Sequence, residues 1–119
     1  MPQTKDGTKY RIRYGGHSYR DAYCKVNPRN TLVTIEIGSG ENRYVYFGIA
    51  RCKLSVDNFR KKEGRELALS RAEDSMKLYT DQLDIDFLLS VGGTMGFCSV
   101  KYVRSLLKHF ESLDVKEQR

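Results

Sequence analysis

The stretch YVYFGIARCKLSVDNFRKKEGRELALSRA, Tyr44 to Ala72, reads as a strand, a polar connection and the first turns of a long helix. On the strand, Gly48, Ala50 and Cys52 share one face, because side chains alternate with period two. On the helix, Gly64, Ala68 and Ala72 recur every four residues and form a stripe of small side chains. Glycine inside a helix costs about 1 kcal/mol relative to alanine, so Gly64 implies a close approach between backbones. The two small-residue stripes are expected to meet. The other face of the strand carries Val45, Phe47 and Ile49, which makes it a central strand covered on both sides, the far cover being another subunit.

Working outward, KYRIRY at residues 9–14 alternates Tyr10, Ile12 and Tyr14 with Lys9, Arg11 and Arg13, the pattern of a half-buried strand. Ser18 to Val26 is expected to form a further strand, and NPRN at residues 27–30 a turn. Thr31 to Ile37 is β-branched and extended, and Gly38 to Asn42 is a hairpin loop. The long helix starts near Ser55 or Asp57 and continues through Met76, Tyr79, Leu83 and Phe87 to about Leu89. Gly92 to Gly96 is a loop, and Val100, Val103, Leu106, Leu107, Phe110 and Leu113 make one side of a final helix capped near Ser99. The expected architecture is α+β: a single domain over residues 1–119, an antiparallel sheet of about four strands at 9–53, then a two-helix hairpin from helices at 55–89 and 98–114.

The composition suits a folded protein: 39% hydrophobic, 30% charged, 119 residues. The polar start is not a signal peptide and no apolar run reaches membrane-spanning length, so a cytoplasmic location and no membrane partner are expected. Cys24, Cys52 and Cys98 lack C-x-x-C spacing, which argues against zinc or a disulfide framework and for buried reduced thiols. A Cys24–His17 nucleophile and base pair lacks an accompanying aspartate or oxyanion turn. Asp81, Asp84 and Asp86 have no glycine-bounded ligand loop and read as solubilising charge. No cofactor is implied, and the absence of a matched acid, base and nucleophile favours binding over catalysis.

A net charge of +6 points toward an anionic partner. Arg11 and Arg13 with Tyr14 combine forked phosphate donors with a stacking ring, although the same strand also reads as a solvated face over core tyrosines. GGTMGFCS, Gly92 to Ser99, offers free amides beside Thr94 with Phe97 as a stacking ring, without the lysine and strand of a P-loop; it equally reads as a link between helices with Phe97 buried. Arg65 and Arg71 lie next to the small-residue stripe, where an arginine pairs with Asp57, a carbonyl or a ligand anion, and Arg104 sits on the last helix. These eight residues, Arg11, Arg13, Tyr14, Arg65, Arg71, Thr94, Phe97 and Arg104, are the candidate ligand-binding set.

The run Gly48-x-Ala50-x-Cys52, then Asp57-x-Phe59, Gly64-Arg65 and Ala68-x-x-Arg71-Ala72 resembles the Thoeris anti-defence 1 family of phage proteins, over about a quarter of the chain. The resemblance implies a phage-type protein that binds and sequesters cyclic nucleotide immune signals in the host cell without turnover. It also implies a homo-oligomer, a dimer or its further assembly to a hexamer. Two other readings fit the same basic surface: a nucleic-acid-binding phage regulator, and an inhibitor of a host defence protein by direct contact.

Overall fold

The computed structural model of the chain describes residues 9–15, 30–51 except 39 and 41, and 61–117 except 83 and 91. In chain order they form β1 (Tyr10–Gly15), β2 (Asn30–Ile37), β3 (Tyr44–Arg51), α1 (Lys61–Tyr79), β4 (Phe87–Leu89), β5 (Met95–Ser99), a 3-10 turn at Val100–Tyr102 and α2 (Val103–Glu117). The five strands make one antiparallel sheet in the order β1-β2-β3-β5-β4. The α+β class is therefore as the sequence reads, with five strands rather than about four. The readings of Ser18 to Val26, residues 27–29, Cys24, His17, Cys52 and the cap at Ser55 or Asp57 fall outside the described residues.

The arrangement of the helices differs from the sequence reading. No helical hairpin forms, because β4 and β5 separate α1 from α2, and the two helices cover opposite faces of the sheet. The long helix ends at Tyr79, not Leu89: Thr80 turns its hydroxyl onto the Met76 carbonyl, and a turn follows at Gln82 and Ile85. Phe87 kept the helical spacing by coincidence, since Ile85, Asp86 and Phe87 also alternate with period two. Likewise Met95 and Gly96 are not loop but the start of β5, which sends Phe97 to the α1 face and Cys98 to the α2 face. The last helix begins at Val103 rather than 98, and Ser99 gives no side-chain cap.

On the α1 face, Val33, Ile35, Ala50, Ala68 and Ala72 pack together with Tyr10, Ile12, Leu69 and Met76. Here Ala68 and Ala72 of the helical stripe meet Gly48 and Ala50 of the strand, as expected. A Cβ on Gly48 would stand 2.1 Å from the Ala68 carbonyl oxygen and 2.4 Å from the Ala72 nitrogen, so the helix backbone rests directly on β3. That proximity lets two polar side chains of α1 reach strand backbone. Arg71 donates to the Ile49 carbonyl, just where β5 has run out. Ser75, fully buried, lies 3.0 Å from the Phe47 carbonyl oxygen and accepts the Gly96 N–H at 3.0 Å.

On the other face, Leu32, Val45, Phe47, Ile49 and Cys98 pack under Leu106 and Phe110 of α2. The far cover of β3 is thus the chain's own last helix, not another subunit. Phe110 fills the space over Gly15, and His109 binds the Gly93 carbonyl oxygen through Nε2 at 2.8 Å, so α2 is tied at its middle to both ends of the sheet.

Gly48→Val is expected to overpack this seam and cost at least 1–3 kcal/mol, roughly, because the obstacle is helix backbone rather than a flexible side chain. Thermal denaturation checks it; an unchanged melting temperature would show that α1 does not rest on β3.

Candidate anion-binding cleft

Strand β1 is pinned by its register with β2: Tyr10 opposite Ile35, Ile12 opposite Val33, Tyr14 opposite Thr31. These side chains turn toward α1, so the period of two turns Lys9, Arg11 and Arg13 toward the α2 face. Between α2 and β1 lies a cleft of about 730 Å³. Leu32, Thr34 and Val45 line its floor, Val103, Leu106 and Leu107 line the helix side, and Lys9, Arg11 and Arg13 line the strand side. Its one acidic lining side chain, Glu36, is held by Arg43 at 2.7 Å.

Arg104 is exposed on α2 and is not among the residues that line the cleft. Glu111, further along α2, reaches Arg13 at 4.0 Å. Of the side chains that line the cleft, sequence reasoning named Arg11 and Arg13 but missed Lys9 and the aliphatic floor. The alternation that put Arg11 and Arg13 on one face also placed Lys9 there, which was the available signal.

The remaining candidates are elsewhere. Tyr14 is half-buried on the opposite face of β1. Arg65 is exposed on α1, and Arg71 is engaged with the Ile49 carbonyl, one of the partners foreseen for it. Thr94 is half-buried in the β4–β5 connection, where its carbonyl accepts the Ile49 N–H at 2.7 Å. Phe97 is a correction: it is fully buried, with ring centroids of Tyr46, Tyr79 and Tyr44 at 5.5, 5.8 and 6.1 Å, so no face is left for a base. From Met95 onward the segment beside it is strand, because Met95 and Gly96 pair with Gly48 and Phe47, while Gly92 to Thr94 form the turn that leads into it.

Burial pushes the Cys98 thiol up to about 12, so it stays protonated at neutral pH and is no nucleophile. Burial also raises the Tyr46 phenol, with Tyr44 and Asp81 adding to the effect and a hydrogen bond from Thr80 opposing it. Among the described residues no three His, Cys, Asp or Glu side chains are grouped to hold a metal ion, and no helix is long and apolar enough to cross a membrane. Comparison with protein-family models, curated proteins and solved structures finds no match.

Both raised groups tie stability to pH in the same direction. The unfolded chain releases the Cys98 proton near pH 9 while the folded chain keeps it to about 12, so this contribution is complete below pH 9 and lost as pH climbs toward 12. Denaturant titrations are expected to show constant stability from this group near neutrality and a decline above pH 9, shallower in Cys98→Ala. Peptide mapping after alkylation of native protein at neutral pH should find Cys98 unmodified. A labelled Cys98 or an unaltered slope would contradict this assignment.

Proposed function

We propose that this protein binds and sequesters a cyclic nucleotide signal without chemical turnover, acting as a homo-oligomer in the host cytoplasm as a phage-type anti-defence protein. The observation that carries the binding site is the cleft itself: Lys9, Arg11 and Arg13 along its strand side and Val103, Leu106 and Leu107 along its helix side, above an aliphatic floor. The class of ligand comes from the resemblance to Thoeris anti-defence 1 proteins. Guanidinium groups supply charge-assisted, forked hydrogen bonds to phosphate. The floor of Leu32, Val45, Val103 and Leu107 offers an apolar bed for a base, and Thr34 is the polar group on that floor that can address a base edge. In this reading Arg11 and Arg13 act together, and Phe97 serves the core rather than the ligand.

Isothermal titration with a cyclic dinucleotide and, separately, with a single-stranded oligonucleotide tests the reading. The cyclic dinucleotide should bind at physiological salt and be recovered intact after heat denaturation of the protein. Arg11→Ala and Arg13→Ala should each weaken it about tenfold, since a hydrogen bond to a charged group contributes about 1.5–3 kcal/mol. Binding confined to the oligonucleotide, and falling by about 10³–10⁵ between 50 and 200 mM salt, would replace this reading with nucleic-acid binding. Recovery of an altered nucleotide would make the protein an enzyme.

A further inference from the structure

We infer that the outward shoulder of α1 is a self-association surface, on which a second copy of this chain lies antiparallel to the first. This names the surface for the proposed oligomer and does not depend on what the cleft binds. Helix α1 meets the sheet through Ala68, Ala72 and Ser75, with Leu69 and Met76 filling in toward β1 and β2. Two large apolar side chains are left outside: Leu67 is 45% exposed and Leu78 is 62% exposed. Eleven residues make about three turns, so the two leucines lie within about 20° of each other around the helix and about 16 Å apart along it. Arg71 and Asp74 fall between them on the same shoulder.

The pattern Leu67, Arg71, Asp74, Leu78 has the same spacing read in either direction, with the charges exchanged. A two-fold axis across the helix therefore sets Leu67 of one copy opposite Leu78 of the other, and Arg71 opposite Asp74, each pair twice. Closed two-fold interfaces require this self-complementarity. A parallel pairing sets Arg71 against Arg71 and Asp74 against Asp74, which disfavours it. Arg71 is already fixed through the Ile49 carbonyl, so pairing a remaining N–H with a partner carboxylate orders little additional side chain. An exposed leucine alone is unremarkable. The reversed charges at matched positions between two leucines single out a second copy of this chain as the occupant.

Two leucine pairs and two ion pairs make an interface at or below the lower end of the stable range, about 1,200 Å², so association is expected at high micromolar concentration. Sedimentation equilibrium over roughly 10 µM to 1 mM should show the 13.7 kDa chain moving toward twice that mass. Leu78→Glu and Asp74→Arg should each hold it at the monomer mass, with melting temperatures of the dilute proteins unchanged because both side chains are exposed. Mixing Leu67→Cys protein with Leu78→Cys protein under oxidation should yield a linked peptide joining positions 67 and 78, identified by mass spectrometry. A wild-type monomer at the highest concentration, a dimer indifferent to Leu78→Glu, or links of 67 to 67 would overturn the proposal.

Discussion

The missing Cβ of Gly48 is the constraint on which the fold depends. Because nothing projects from β3 at that point, the α1 backbone settles onto the strand at Ala68 and Ala72. Only from that distance can Ser75 insert its hydroxyl between β3 and β5, and Arg71 take the carbonyl left open at the end of β5. A buried hydroxyl or guanidinium without such partners is costly, so the close packing and the polar contacts require one another. The α1 face is consequently close-packed at this seam.

The opposite face is built differently. Helix α2 is held near Phe110 and His109, at Gly15 and Gly93. Val103 and Leu107 remain half-buried at the edge of this contact, where strand β1 brings up three cations. The same alternation that drives Tyr10 and Ile12 into the α1 core thus forces Lys9, Arg11 and Arg13 to the open side. Core formation on one face and charge concentration on the other are a single consequence of the KYRIRY pattern.

That pattern was legible in the sequence, as were the meeting of the small-residue stripes, the antiparallel sheet and the apolar side of the last helix. Periodicity reports such features directly. It failed at Phe87 to Leu89 and Met95 to Phe97, where short strands carry too few residues to separate a period of two from one of 3.6, and where Gly96, close after Gly92 and Gly93, imitates a loop. The misplacement of Phe97 followed from that error. Convergence was also hidden: Val103 and Leu107 join Arg11 and Arg13 in one cleft only because α2 returns across the sheet, a long-range fact that spacing along the chain does not contain.

The central claim is that the cleft between β1 and α2, and no other surface, receives the ligand. Amide-resolved NMR during titration with a cyclic dinucleotide examines it most directly. The account predicts shifts concentrated at residues 9–13, 32–36 and 103–108, with Gly48, Ser75 and Phe97 unperturbed. Shifts centred instead on Arg65, Thr94 and Phe97 would contradict it.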